Sequence, residues 1–429
     1  MNNLAVELNK KIEGTTLYYL LSDFGKRLYF PNDTKMQSAE AKKLAKKYNA
    51  TEGMAFKEHK PMHIPSITKY FSHLDLEESI TYSGSAGEAE LRDLWEVDLI
   101  RKNPSLKEIK FSKPIVVAGL THGLSVIGDL FIDNATTLFL PSVYWPNYDL
   151  LFGEKCRAEL KTYNLYTEGH LDIESLVKAV RAESKERKIA VILNFPQNPT
   201  GYSPLKSEAK ELKHEFLKLA EEGYKILTIH DDAYYGLFYE EDIYSESLFS
   251  IFSNLHENIL ALKVDGPTKE HFVWGFRIGF ISIGSKELTH EQYQVIETKI
   301  MAAIRCSIST ASKPAQSIII KALKEKTFEA ERKKEADEIK ERYEIVKKTI
   351  EKYKFTGSIT PAPFNSGYFM CFELKEKSAE DIRKHLLNNY GIGVISFKDK
   401  YLRVAYSCID KINIEDLITT IIKATEEIR

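Results

Sequence analysis

The sequence predicts an α/β fold: a large unit with a mainly parallel sheet covered by helices, then a smaller α/β unit. Three observations carry that expectation. Short, wholly apolar runs recur through the middle of the chain, amphipathic stretches lie between several of them, and a charge-dense stretch separates this region from a second set of strands and helices. Strands apolar on both faces are what a sheet buried under two helical layers requires.

The elements follow in order. Ser38 to Tyr48, rich in Ala and Lys, reads as an amphipathic helix. Ile115–Ala118, Thr137–Leu140, Ile189–Leu193, Ile226–Ile229 and Ile259–Leu262 read as buried strands. From Ser207 to Glu222, Phe216, Leu217 and Ala220 fall at helical spacing. From about Lys321 to Lys354, Leu323, Phe328, Ala336, Ile339, Tyr343, Val346 and Ile350 recur at three, four or their multiples, which predicts one long helix with a solvated face. Beyond it, Gly367–Glu373 reads as a strand and Ser378–Asn389 as a helix capped by Ser378. Val394–Phe397 and Tyr401–Ala405 follow as short strands, and Ile414–Glu427 as a closing helix.

Composition narrows the function classes. The 429 residues allow two or three units of ~150 residues, and 43% hydrophobic with 28% charged residues is ordinary for a globular chain. Lys plus Arg (60) balances Asp plus Glu (62), so no basic field draws nucleic acid. No apolar run approaches the ~18 residues of a membrane span, and Glu7 interrupts the apolar patch of MNNLAVELNKKIEG, unlike a secretion signal. Cys156, Cys306, Cys371 and Cys408 form no CxxC pair and have no His at ligand spacing. The expectation is a cytoplasmic protein with reduced thiols, no metal, no membrane and no nucleic-acid partner.

In a parallel sheet, ligands sit beyond the carboxyl ends of the strands. After the run ending at Leu193 comes Asn194-Phe-Pro-Gln-Asn198-Pro-Thr-Gly201, a turn that presents the Asn198 amide to a cleft. The run ending at Ile229 leads into Asp231, three residues before Tyr234. The next leads to Asp265-Gly-Pro-Thr268-Lys269, and eight residues beyond Lys269 stands Arg277 between glycines. A lysine beyond a buried strand becomes a usable amine nucleophile when burial disfavours its ammonium form. An arginine that backbone can approach closely suits a phosphate. Upstream, Ala118-Gly119-Leu120-Thr121-His122-Gly123 turns from strand to helix, where free N–H groups and the helix dipole favour an anion.

With these residues in place, the chain from about Tyr82 to Arg403 resembles the aspartate-aminotransferase (class I/II) branch of the fold type I pyridoxal-phosphate enzymes. The resemblance implies pyridoxal 5′-phosphate as cofactor, with Lys269 its Schiff-base lysine and proton carrier. It implies Asp231 on the pyridine nitrogen, Asn198 and Tyr234 on the phenolic oxygen, and Arg277, Thr268, Thr121 and the Gly119-Leu120 backbone on the phosphate. Val143-Tyr-Trp145-Pro-Asn147 is similar to the segment whose aromatic residue stacks on the ring, which points to Trp145. Tyr82 resembles the tyrosine that reaches the neighbouring subunit's phosphate, so a homodimer with shared active sites is implied. Arg403 resembles the arginine that holds the substrate α-carboxylate. Arg305, 36 residues after Lys269, resembles the arginine for a distal carboxylate. One departure is Gly266, where the family often places a phosphate-binding hydroxyl.

The implied division is 1–60 as N-terminal arm and part of the small domain, 61–320 as the large cofactor domain, and 321–429 as interdomain helix and C-terminal small domain. The implied activity moves an amino group between an amino acid, with glutamate or aspartate as donor, and a 2-oxo acid. A carbon–sulfur lyase or synthase of the same fold shares these cofactor residues and is the alternative.

Overall fold

The computed structural model describes residues 1–31, 34–184, 187–355 and 359–428. At its centre is a seven-stranded sheet. Its strands are β1 (Ile115–Val117), β2 (Thr137–Pro141), β3 (Glu159–Tyr163), β4 (Lys188–Leu193), β5 (Lys225–Asp231), β6 (Ile259–Asp265) and β7 (Gly279–Gly284). The spatial order is β1-β7-β6-β5-β4-β2-β3. Strands β3, β2, β4, β5 and β6 run parallel, and β7 is antiparallel to both its neighbours.

All five expected strands are present, because each is buried along nearly its whole length. The two that the sequence did not announce have physical reasons. Strand β3 lies at the sheet edge, only partly buried from Glu159 to Lys161 and exposed at Thr162, so polar residues dilute its pattern. Strand β7 is fully buried but short of apolar bulk, with Ser282 inside it and a glycine at each end.

A second, four-stranded antiparallel sheet contains β8 (Ile359–Pro361), β9 (Phe369–Leu374), β10 (Ile395–Phe397) and β11 (Tyr401–Ala405) in the order β8-β9-β11-β10. Its register sets Arg403 opposite Cys371 on one side and Ile395 on the other. The helices that bear on the site are α1 (Thr34–Leu44), α2 (Leu120–Phe131), α3 (Pro267–Glu270), α4 (His290–Ser307) and α5 (Phe328–Glu351).

Near the N-terminus, Tyr48–Asn49 pairs in parallel with Ile392–Gly393. The Gln37 side chain on α1 accepts from Ser396 N–H at 2.8 Å and donates to the Ser396 carbonyl at 3.1 Å. The N-terminal segment is thus fastened to the C-terminal part of the chain, far away in sequence.

Three expected helices are corrected. The single helix from about Lys321 to Lys354 is two, Lys313–Leu323 and α5, parted by a turn. That turn is held from outside: Lys69 pairs with Glu325 at 2.5 Å, and Ser66 Oγ lies 3.0 Å from Thr327 Oγ1. Periodicity does not register such contacts. The helix expected over Ser38–Tyr48 runs from Thr34 to Leu44, and Tyr48 belongs to a strand. Ser378 caps its helix as expected, accepting from Asp381 N–H, but the α-helix ends at His385 and widens into a π-turn closed by left-handed Gly391. Among the described residues, no helix is long and apolar enough to cross a membrane, and no group of three His, Cys, Asp or Glu residues could hold a metal ion.

Candidate active site

Beyond the carboxyl ends of β4, β5 and β6 lies a cavity of about 690 Å³. Leu120, Thr121, Trp145, Asn198, Asp231, Tyr234, Thr268, Lys269, Arg277 and Arg403 all line it, although 283 positions separate the first from the last. Parallel strands deliver Asn198, Asp231, Thr268 and Lys269 to one edge because successive crossovers return the chain in the same direction, while Arg403 arrives from the antiparallel sheet.

Lys269 follows β6 by way of Gly266 and Pro267, the latter at the first turn of α3. Burial lowers its pKa to about 8; the charge of Asp231 opposes this shift and that of Arg277 adds to it. The Lys269 amine lies 4.9 Å from the centre of the Tyr234 ring and makes no hydrogen bond among the described residues. It is therefore an amine that gives up its proton near neutrality.

Asp231 is the last residue of β5. The Tyr148 hydroxyl donates to its Oδ2 at 2.6 Å, while Oδ1 is buried and accepts no hydrogen bond. Burial pushes this carboxyl above its ordinary range, against the hydrogen bond from Tyr148 and the charge of Lys269. Leaving a buried acceptor unmet costs about 1–3 kcal/mol. A protonated ring nitrogen is the donor that would meet it, so this wall fits a pyridine cofactor.

The anion end is built from backbone. Gly119, at φ +79°, starts α2, and a Cβ there would come within 2.5 Å of Arg277 Nη2. The guanidinium therefore sits flush against the open first turn of α2, and its charge adds to that turn's attraction for an anion. Thr121 and Thr268 stand beside it on the cavity wall. The missing hydroxyl at Gly266 has a steric cause. A Cβ at that position would lie 2.8 Å from the Ile278 carbonyl and 2.9 Å from Gly279 Cα.

Arg403, buried on β11, donates from Nη1 to Asn198 Oδ1 at 3.1 Å and from Nη2 to the Thr51 carbonyl at 2.7 Å. Its guanidinium lies 4.3 Å from the centre of the Phe369 ring. Asn198 is fixed in turn by its N–H, which donates to Asn194 Oδ1 at 2.9 Å. Trp145 meets Tyr148 edge-on at 5.5 Å.

Two expected residues stand apart. Tyr82 is 90% exposed, and Arg305 is exposed on α4; neither lines the cavity of its own chain. Conversely, several residues on the cavity wall or directly behind it escaped the sequence reading. Tyr148 stands three positions after Trp145 and could have been found as the partner that a buried Asp231 needs. Trp274 lies between Lys269 and Arg277 in sequence and also lines the cavity. The face of α1 bearing Thr34, Ser38 and Lys42, and the loop Thr51–Met54, belong to the N-terminal arm that the resemblance implied, but carried no signal that singles out a residue. Lys42 reaches Glu52 at 2.7 Å across this mouth.

Residues 53–421 match the family model "Aminotransferase class I and II". Among curated proteins, the chain is 29% identical over 251 residues to a probable aspartate/prephenate aminotransferase of Aquifex aeolicus, covering 57% of this chain and 56% of that one. It is also 23% identical over 203 residues to an S-alkyl-thiohydroximate lyase of Arabidopsis thaliana, covering 47% and 40%. The chain thus spans about half the length of the curated relatives it matches. Among solved structures, an aminotransferase of Anaerococcus prevotii superposes with a TM-score of 0.82 at 23% identity, over 94% of this chain and 99% of that one. On the family match and the shared fold, the chain belongs to the class I and II aminotransferases.

Proposed function

We propose that the protein is a pyridoxal-phosphate-dependent aminotransferase that moves an amino group between an amino acid and a 2-oxo acid. The observation that carries this reading is the placing of Lys269, with its lowered pKa, in one cavity with the unmet buried oxygen of Asp231. Pyridoxal phosphate, when bound, supplies a ring that takes up the electron pair released as the Cα–H bond breaks. The Lys269 amine would hold its aldehyde carbon and, when free, would carry the proton to and from the substrate Cα. Asp231 would keep the ring nitrogen protonated, Asn198 and Tyr234 would meet the phenolic oxygen, and Trp145 would cover the ring. Arg277, Thr121, Thr268 and the first turn of α2 would take the phosphate. Arg403 fixes the α-carboxylate, so that the bond aligned for cleavage is Cα–H.

The exposed Tyr82 supports a homodimer in which it reaches the partner's phosphate, and exposed Arg305 acts, on this reading, across the same interface on a distal carboxylate. Glutamate or aspartate is the proposed donor, and the cytoplasm the proposed location. The 1–60, 61–320 and 321–429 division is retained, with residues 34–54 completing the substrate entrance.

The test is the visible spectrum of the purified protein loaded with pyridoxal phosphate, followed through additions of single amino acids. A band that bleaches with one amino acid and returns with a 2-oxo acid establishes transfer and names the donor. The lyase relative motivates a second reading, which predicts release of ammonia and a thiol instead of a recoverable band. Uptake of the cofactor by the stripped protein should also quicken as pH rises through about 8 and level off above it, since the neutral amine dominates above the Lys269 pKa. A pH-independent rate would show that the amine is not the controlling group. For Arg305→Ala, KM for glutamate and aspartate should rise about tenfold or more, with alanine unaffected; an unchanged KM removes the distal-carboxylate role.

A further inference from the structure

Tyr368, directly before β9, and Phe369, its first residue, touch Lys269, Tyr234 and Arg403 between them. The Tyr368 hydroxyl donates to the carbonyl of Lys269 at 2.9 Å. The Tyr368 ring meets the Tyr234 ring at 5.4 Å, and Phe369 meets the same ring at 5.3 Å, both edge-on. The other neighbour of Phe369 is Arg403, whose guanidinium lies over its ring at 4.3 Å. Both residues are essentially buried, at 0% and 1% exposure, so neither can shift independently of what it touches.

The pair is also locked to the turn that carries Asn198. Gly201, at φ +77°, accepts at its carbonyl from the N–H groups of Asn365 and Ser366 at 2.9 and 2.8 Å. A Cβ on Gly201 would lie 1.9 Å from the Phe369 carbonyl. Strand register then fixes β9 to β11, with Phe369 opposite Ala405 and Cys371 opposite Arg403.

We propose that Tyr368 and Phe369 are a positioning pair that holds the Lys269 amine and the Arg403 guanidinium at one fixed separation. This rests on the aminotransferase reading above. The Lys269 amine must meet a Cα whose place is set by the α-carboxylate on Arg403. Lys269 comes from the large sheet and Arg403 from the small one, so their spacing is not set by either sheet alone. Arg403 is bonded to Asn198 on the large-sheet side, but the dipeptide alone among these groups contacts both Arg403 and the Lys269 backbone, which makes it a link across which their spacing is kept. Displacing reacting groups by ~1 Å can cost ~100-fold in rate, so the link acts on rate through Lys269 and on binding through Arg403. Neither residue performs the chemistry.

The two halves separate experimentally. Tyr368→Phe removes one hydroxyl and keeps the ring; it should lower kcat about tenfold and leave KM within about twofold. Its affinity for succinate, a carboxylate with no amino group to transfer, should be unchanged in calorimetric titration. Phe369→Leu removes the ring beneath Arg403; it should weaken succinate binding about threefold to fivefold while cofactor uptake, followed by absorbance, stays as in the wild type. Tyr368→Phe with wild-type kcat overturns the proposal. So does a Tyr368→Phe protein in which kcat, succinate affinity, cofactor uptake and melting temperature all fall together, since that marks a packing role only. If Phe369→Leu does not fold, Phe369→Met replaces it, and the Tyr368→Phe split decides by itself. A wild-type protein that takes up no pyridoxal phosphate overturns the functional reading as well, which keeps the two failures distinguishable.

Discussion

Lys269→Ala is expected to give a folded protein that binds pyridoxal phosphate without covalent attachment and transfers amino groups at least about 10⁴-fold more slowly. The size of the effect follows from the two duties proposed for one amine, holding the cofactor and carrying the proton at Cα. The fold should survive because the Lys269 amine makes no hydrogen bond among the described residues, while α3 is held by other groups. Glu270 pairs with Lys102 at 2.7 Å and with Arg332 at 3.1 Å, and the Lys269 carbonyl keeps its bond from Tyr368. The check is mass spectrometry after borohydride treatment, with melting temperature as the fold control. A cofactor mass still fixed to the Lys269→Ala chain, or turnover near wild type, would falsify the assignment.

Asp231→Asn is the second large effect, with kcat expected to fall about 10²–10³-fold. The substitution keeps the volume and leaves an amide oxygen to accept from Tyr148, but it removes the charge that keeps a ring nitrogen protonated. Without that proton the ring is a poorer electron sink, so the loss falls on kcat, with KM changing little. Asp231→Ala should lose as much activity and some stability too, because it strips the buried Tyr148 hydroxyl of its acceptor. Steady-state kinetics beside thermal denaturation separate the two variants. Equal activity of Asp231→Asn and wild type means that the carboxylate is not on the ring nitrogen.

This wall of the cavity was legible in sequence because each of its parts sits at or beyond the end of a buried strand. Asn198 and Lys269 follow β4 and β6, Asp231 ends β5, and a strand buried on both faces announces itself by unbroken apolarity. Arg277 was legible by its short spacing from Lys269. The mouth was not. Thr51 reaches Arg403 only because β11 pairs with β9, while the N-terminal strand Tyr48–Asn49 pairs with Ile392–Gly393, and contacts between residues 352 positions apart leave no local pattern. The Gly266 departure, which reads in sequence as a missing hydroxyl, is in three dimensions a place where the backbones of Ile278 and Gly279 leave no room for one.

By itself the sequence determined the α/β class, the strands that bear the site and the chemical kinds of its groups, because burial and spacing along one chain are local properties. Tertiary structure decided the rest. It lowered the Lys269 pKa by burial and left one Asp231 oxygen unmet. It set Arg277 against the start of α2 and broke the expected long helix at Glu325. Each of these depends on which distant segment lies within a few ångströms, and that distance is fixed only when two sheets and a helical layer close on a common core.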